Sequence, residues 1–383
     1  MKKSKIKNII FINPKTQYGN LGDIVINKTL LDNLRKYGNL VINVNGVPEW
    51  FCQELEITDD EKVSKYKMSF KMTLLVFALK TLFQTNQKIY FVLNPGHHYS
   101  SSINIKNLGN LVKTISLFFT LKIIGVRICR FGASIGPFST IDKIIEKFKS
   151  RAMYFYSVRD SKSTKYAEKL GINKVDYFPD LAWSMKLIST NYIFSNNVLD
   201  REYIIFSFRE YPHELENIEN FKKNLYIVLD SIVEEICINL DKKLFISYQV
   251  DSDYEFCRSI SNRYKNKCNV TFIEHQLDTQ SIYKLYSQAS FIFSNRLHVL
   301  IFGMMYGSIP IAVIDEPRHD KITGIFSDAN LMRLVVDISQ NNHEIEVLKE
   351  ITNNVNLIKQ DIDLCINKYQ KNSKSIFNCV MHE

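Results

Sequence analysis

The sequence lacks the marks of several function classes. None of its seven cysteines (Cys52, Cys129, Cys237, Cys257, Cys268, Cys365 and Cys379) stands in a Cys-x-x-Cys pair, and several sit in apolar surroundings. That argues against zinc-ribbon and thioredoxin-type sites and for free, buried thiols in a reducing compartment. No window of about 18 uninterrupted apolar residues occurs, so no transmembrane helix is expected. Lys80 and Lys113 or Lys122 break the two most apolar stretches. The basic start Met1-Lys2-Lys3 precedes an apolar run, Asn8–Ile12, that is too short for a secretion signal. No Gly-Lys-Ser/Thr follows a glycine loop, and no Gly-x-Gly-x-x-Gly occurs. Walker-type nucleotide sites and dinucleotide fingerprints are therefore not expected. Zinc-finger spacing, an RNP-like aromatic motif and a base-reading basic helix are also missing, so no nucleic-acid partner is expected. No repeat of 20–50 residues is evident.

What is present is a globular composition with a basic excess. The 383 residues are 45% hydrophobic, and 49 Lys and Arg against 40 Asp and Glu give +9. The length favours two domains over one core. The charge suits anionic substrates or the anionic face of a membrane, although solvated lysines alone also account for it.

Strand and helix patterns alternate along the chain. Short apolar runs at Asn8–Ile12, Leu40–Val44, Lys88–Leu93, Arg127–Phe131, Tyr154–Val158 and Val175–Phe178 read as buried strands. Helical spacing follows at Ile24–Leu34, Phe70–Phe83, Leu108–Ile124, Ile141–Met153 and from Ser161 or Ser163 to Leu170. The polar, Asn-rich stretch 189–201 reads as a linker. A second alternation begins at Tyr203–Phe208 and ends near Val336, and His343–Tyr369 reads as one long helix. The expected fold class is α/β, with two doubly wound Rossmann-like domains facing across a cleft, as in glycosyltransferase B-type proteins. The expected boundaries are 1–190 for an acceptor-side domain and 202–342 for a donor-side domain. Residues 343–383 are expected to form a helix and tail packing back on the first.

The densest chemistry lies in 290–326. An apolar strand at Ser290–Phe293 runs into Ser294-Asn295-Arg296-Leu297-His298, a helix follows to Tyr306, and Ile309–Ile314 is the next strand. In such crossover units ligands sit at the strand ends beside the helix N-terminus, where free N–H groups favour anions. Arg296 adds a planar fork for phosphate or carboxylate, and His298 is a residue type that titrates near neutrality. Arg318, His319 and Lys321 follow the next strand end. The reading is a small-anion site; the plain alternative is a chance basic rim.

In the first half, Gly19 and Gly22 lie in the loop between the first strand and helix, where glycine allows close approach to a ligand. Strand-end loops supply Asn20, Asp23, His97, Ser134, Arg159, Asp160 and Asp180. Each has a dull alternative. Asp23 can simply favour the helix dipole, Asp160 can cap a helix, and Arg159 can pair with either aspartate. His97 and His98 invite a metal, but adjacent loop residues rarely chelate without a third ligand, so no metal is expected. The second half adds Arg209, Arg296, His298 and Lys321.

The ordered segments GNLGD (19–23), GASIGPF (132–138), SVRDSKS (157–163), FPD (178–180), SFR (207–209) and SNRLHVLIFGMMYGSIPIAV (294–313), with Lys321 and Gly324, resemble the polysaccharide pyruvyl transferase family over roughly residues 13–325. The resemblance implies a two-domain glycosyltransferase B-like fold. It also implies transfer of a pyruvyl group from phosphoenolpyruvate to sugar hydroxyls of a cell-surface polysaccharide or its lipid-linked precursor, as a cyclic ketal. Arg296, Leu297 and His298 match the family's donor-site arginine and histidine segment, and Arg209 its second-domain arginine, with Lys321 as a further donor contact. His298 is then the expected proton donor, Asp23 the base toward the acceptor and Asp180 its reserve. Asn20, Gly22, His97, Ser134 and Arg159 are the expected acceptor contacts. Two departures stand out: Asn94-Pro95-Gly96-His97-His98 replaces a glycine-rich turn, and Val299 follows Arg-Leu-His where a small residue is usual. No cofactor is expected beyond phosphoenolpyruvate as donor substrate. The expected partners are that donor and a glycan or lipid-linked oligosaccharide acceptor. The expected location is the cytoplasm, with peripheral contact at the inner face of the plasma membrane. The competing enzyme class is a nucleotide-sugar glycosyltransferase of capsule or exopolysaccharide synthesis; a non-catalytic glycan-binding scaffold is the third reading.

Overall fold

The computed structural model describes residues 8–82, 87–98, 107–172, 174–187, 198–210, 218–340 and 343–382. The chain divides into two compact units. Met1–Tyr18, Asp23–Met185 and Gln370–Glu383 form the first, and Gly19–Gly22 with Lys186–Tyr369 the second. Most of the expected linker, 188–197, lies outside the described residues.

The first unit holds a parallel sheet of β1 (Asn8–Ile12), β2 (Gly38–Ile42), β3 (Ile89–Val92), β4 (Gly96–His98), β5 (Arg127–Ile135), β6 (Phe155–Val158) and β7 (Asp176–Tyr177). Its order is β2-β1-β3-β5-β6-β7, with β4 paired to β5. The crossover helices are α1 (Leu21–Leu34), α2 (Glu49–Glu54), α3 (Phe70–Leu82), α4 (Asn107–Ile123), α5 (Thr140–Ala152) and α6 (Ser161–Lys169). Strands such as β1, NIIFI, are continuous apolar runs because both faces of the sheet are covered. One apolar cluster joins Phe11, Val41, Ile89 and Ile128 of the sheet to Leu74 and Ala78 of α3 and Phe118 and Leu121 of α4.

Gly22, expected in the loop before the first helix, lies in the first turn of α1, and the first sheet departs from expectation at two points. Gly96–His98 is a strand and not a polar loop, and β5 continues through Ile135 where a loop was expected after Phe131. A shift of register against β6 between Arg130 and Ala133 makes the longer strand possible. Gly132 sits in that shift at φ +62°, and an added Cβ would meet Phe178 and Pro179 at 3.0 Å. Only glycine fits such a bulge, which is why the segment resembles a turn.

The second unit holds β8 (Tyr203–Ser207), β9 (Lys243–Ile246), β10 (Val270–Phe272), β11 (Ala289–Ser294), β12 (Ile309–Ile314) and β13 (Val335–Asp337). All pairs are parallel, in the order β10-β9-β8-β11-β12-β13. This is the doubly wound 3-2-1-4-5-6 order, whose direction reverses between β8 and β11. Its helices are α7 (Ile218–Ile232), α8 (Tyr254–Tyr264), α9 (Thr279–Tyr286), α10 (Leu297–Met305), α11 (Asp320–Asp328), α12 (His343–Asn353) and α13 (Val355–His382). α7 passes directly into a π-helical turn at Val233–Ile238. The expected single terminal helix is two, broken at Asn354, and α11 was not anticipated. The last turns of α13 pack in the first unit: Asn8 Nδ2 donates to the Met381 carbonyl at 3.1 Å, and Phe377 contacts the rings of Tyr37, Phe131 and Phe178.

Candidate active site

In open parallel sheets the ligand crevice lies beyond the carboxyl ends of the strands where the order reverses. In the second unit that point is flanked by Arg209, after β8, and by Asn295, Arg296 and His298, after β11. α10 is apolar all round (LHVLIFGMM), and everything from His298 to Met305 is buried. A helix of this kind runs through the core and carries its first turn to the strand ends. No side chain caps that turn, so its leading N–H groups are available to an anion.

Asn295 fixes the spacing of the two arginines. Its Nδ2 donates to the Arg209 carbonyl and its Oδ1 accepts from the Arg209 amide, both at 2.9 Å, with Asn295 1% exposed. Arg296 donates through one terminal nitrogen to Asp253, the residue before α8, while its buried Nε has no hydrogen-bond partner. Burial raises the pKa of the Asp253 carboxyl, and Arg296 and Arg209 pull it back down. One carboxylate thus faces two guanidinium groups. The two guanidinium groups and the helix start together suit a small anion.

His298 is 9% exposed and stacks on Phe302, with centroids 6.0 Å apart at 19°. Gly22 also lies against the ring. A Cβ at that position would stand 2.0 Å from His298 Nδ1, so only glycine allows the contact. The segment Gly19–Gly22 is held by Asn20 Oδ1, which accepts from the Gly22 amide at 3.0 Å and from Gln249 Nε2 at 2.8 Å, and by Gln276 Nε2, which donates to the Gly19 carbonyl at 2.6 Å. Asn20 and Gly22 were expected on the acceptor side; the structure places both in the second unit, with Gly22 against the imidazole.

Beyond β12, His319 is 3% exposed and lies against Phe221. Its Nδ1 donates to the Asp315 carbonyl at 2.8 Å. Burial, with the Arg209 charge adding to it, lowers its pKa to about 4, so the ring is neutral and its Nε2, which has no partner, keeps a lone pair. Lys321 is half-buried in the first turn of α11, and Leu297 is half-buried in the first turn of α10.

The remaining candidates lie in the first unit and engage one another. Arg159 donates from Nε to Ser134 Oγ at 2.7 Å and pairs through NH1 with Asp180 Oδ2 at 2.5 Å. Ser134 Oγ donates to Asp160 Oδ2 at 2.8 Å, and Asp160 Oδ1 caps α6 through the Ser163 amide at 2.6 Å. Asp180 Oδ1 accepts from the Ala182 amide at 2.9 Å. All four residues are at most 3% exposed, so this network ties the ends of β5, β6 and β7 together. His97 donates from Nε2 to the Gly136 carbonyl at 2.7 Å. Asp23 Oδ2 accepts from Thr16 Oγ1 at 2.5 Å and from the Gln17 amide at 3.3 Å, fixing the loop before α1. Among the described residues no group of three or more His, Cys, Asp or Glu side chains could hold a metal ion.

Sequence reasoning assigned no role to Asn295, Asp253 or Gln249, and counted His319 only among the potentially cationic groups of the second strand end. Asn295 had a visible signal, being a polar residue directly after a fully buried strand. Asp253 and Gln249 reveal themselves only through tertiary contacts.

A family model for polysaccharide pyruvyl transferases matches residues 20–313, most of the chain. No curated protein matches the sequence significantly. Among solved structures the chain is similar to HepE of Anabaena in complex with UDP, at 8% identity and TM-score 0.62, covering 98% of this chain and 100% of that one. It is also similar to UDP-GlcNAc 2-epimerase of Neisseria meningitidis bound to UDP-GlcNAc, at 11% identity and TM-score 0.58, covering 99% and 100%. S. aureus MnaA with UDP gives 12% identity and TM-score 0.56, covering 97% and 95%. At these identities the likeness speaks for fold alone, the two-domain Rossmann-like class of the glycosyltransferase B type.

Proposed function

Since the chain belongs to the polysaccharide pyruvyl transferase family, we propose that it moves a pyruvyl group from phosphoenolpyruvate to two hydroxyls of a cell-surface glycan or its lipid-linked precursor. The observation that carries this reading is the set of Arg209, Arg296 and the uncapped start of α10 at the switch point of the second sheet. Phosphoenolpyruvate presents a phosphate and a carboxylate a few bonds apart. Two arginines whose backbone spacing is fixed through Asn295, with Lys321 on the next strand-end helix, match two anionic groups on one small molecule.

The residues divide the chemistry as follows. His298, in contact with Phe302 and Gly22, gives a proton to the methylene carbon of the donor. The oxocarbenium-like carbon so formed is attacked by one sugar hydroxyl, which loses its proton to a base. Phosphate departs and the second hydroxyl closes the ketal, so donor plus diol become ketal plus inorganic phosphate. Asp23, one residue beyond Gly22, is the base assigned to the acceptor. Asp180 is committed to Arg159 and the Ala182 amide and serves to hold the strand ends. Fixed cations meet the phosphate charge, and the mechanism asks for no cofactor. With a lipid-linked acceptor, the enzyme works in the cytoplasm at the inner face of the membrane.

A second reading, nucleotide-sugar glycosyl transfer, is favoured by one observation: the similar structures carry UDP or UDP-GlcNAc. The two are separated by thermal unfolding with phosphoenolpyruvate and, separately, with UDP-sugars. A ligand at about 100 times its dissociation constant adds about 2.7 kcal/mol of stability. Stabilisation by phosphoenolpyruvate that disappears in Arg296→Ala is the expected result. Stabilisation by UDP-sugars alone moves the assignment to glycosyl transfer.

A further inference from the structure

The net charge of the chain is concentrated in one stretch of the first unit. Residues 62–141 contain eleven Lys and Arg and not one Asp or Glu, although the whole chain carries only +9. The remainder is therefore slightly acidic. Two helices of this stretch, α3 and α4, cover the same side of the first sheet. Their outer sides are apolar as well as cationic. On α3, Met72 is 53% and Leu79 49% exposed, two turns apart on one face, beside exposed Lys71 and Lys80. On α4, Val112 is 62% and Ile123 80% exposed, three turns apart on one face, with Lys113 and Lys122 exposed next to them. Between the helices opens a cavity of about 370 Å³, walled by Phe70, Leu74 and Leu75 of α3 and Leu117 and Leu121 of α4, with Lys71 among its lining residues.

We propose that this α3–α4 face is a docking surface for a bilayer rich in anionic phospholipid. A chain segment that is basic without a single acid, and whose helices also expose large apolar side chains at helical spacing, matches an interface of phosphate headgroups over hydrocarbon. A nucleic acid would meet the lysines but has no use for Met72, Leu79, Val112 and Ile123. The attachment is peripheral, since no helix among the described residues is long and apolar enough to cross a membrane. The cavity supplies an apolar recess at that surface. The proposal stands apart from the donor assignment and holds whichever donor the second unit takes.

The test is flotation of the full chain with phosphatidylcholine vesicles, with and without phosphatidylglycerol. Binding is expected only to the anionic vesicles. Each lysine near such a surface contributes about 1 kcal/mol, about fivefold in affinity, so Lys71→Glu/Lys80→Glu/Lys113→Glu should weaken binding about a hundredfold or more. The matched control, Lys265→Glu/Lys284→Glu/Lys349→Glu, makes the same charge change at exposed second-unit positions and should bind like the parent. Met72→Glu/Leu79→Glu should remove the binding that survives raised salt. Equal binding to neutral and anionic vesicles, or equal losses in the two lysine triples, overturns the proposal. So does tighter binding of a single-stranded oligonucleotide that the Met72/Leu79 change leaves untouched.

Discussion

Replacing Gly22 by alanine tests the contact on which the proton-donor assignment depends. In a helix this exchange ordinarily stabilises by about 1 kcal/mol. Here the new Cβ would lie 2.0 Å from His298 Nδ1 and 2.6 Å from its Cγ. Carbon contacts are optimal near 3.5–4.0 Å, so the imidazole must retreat by roughly 1.5 Å. It cannot retreat freely, because the ring is buried and stacked on Phe302. A displacement of about 1 Å at a reacting group can cost about 10²-fold, and losing general acid help costs about 10²–10⁴-fold. Gly22→Ala should therefore lower kcat/KM at least about a hundredfold, about 2.7 kcal/mol in the barrier. Gly19→Ala is the control, since its Cβ meets nothing nearer than Asp251 at 3.9 Å. The assay is acceptor-dependent phosphate release from phosphoenolpyruvate, followed beside thermal unfolding. In the double variant Gly22→Ala/His298→Ala the clash is relieved, so Tm should recover while activity should not. Near-parental turnover in Gly22→Ala would refute the reasoning, because the imidazole could then be moved without consequence.

Three further outcomes follow from the geometry. Asn295→Ala leaves the Arg209 amide and carbonyl without their partners; at about 1–3 kcal/mol for each buried group left unpaired, urea unfolding should move to a clearly lower midpoint and KM for the donor should rise. Asp180→Asn strips the buried Arg159 of its carboxylate, and breaking such a pair costs about 3–5 kcal/mol, so stability should fall well before any selective loss of chemistry is seen. His319 is held near pKa 4 against 6.5 for the free side chain, so the unfolded chain takes up the proton first as pH falls. Its contribution to stability is complete above pH 6.5 and is lost as pH drops toward 4, at most about 3 kcal/mol, and unfolding midpoints of His319→Asn should depend less on pH across that window than those of the parent.

The alternation of apolar runs and helical spacing made both sheets legible, because parallel strands covered on both faces read as unbroken apolar segments. Ser290–Phe293 and Ile309–Ile314 were placed within a residue or two of β11 and β12. The misses have local physical causes. Gly132 disguises the middle of a nine-residue strand as a turn, and Asn353-Asn354 ends a helix whose apolar spacing continues beyond it. At the site, Arg296 and His298 were legible because they stand at a strand end before an apolar helix. The partners of those residues were not. Asp253 is forty-three residues from Arg296, and Gly22 is far from His298 in sequence; only folding brings each pair together. The network of Ser134, Arg159, Asp160 and Asp180 shows the opposite problem, since four polar strand-end residues that resemble a site in sequence satisfy one another when folded.

The central claim, that the second-unit switch point holds phosphoenolpyruvate, is tested most directly by calorimetric titration of that compound into the parent protein and Arg296→Ala, with UDP as competitor. The account expects saturable binding to one site, lost in Arg296→Ala and indifferent to UDP. Arg296-dependent binding of UDP, with no binding of phosphoenolpyruvate, would contradict it.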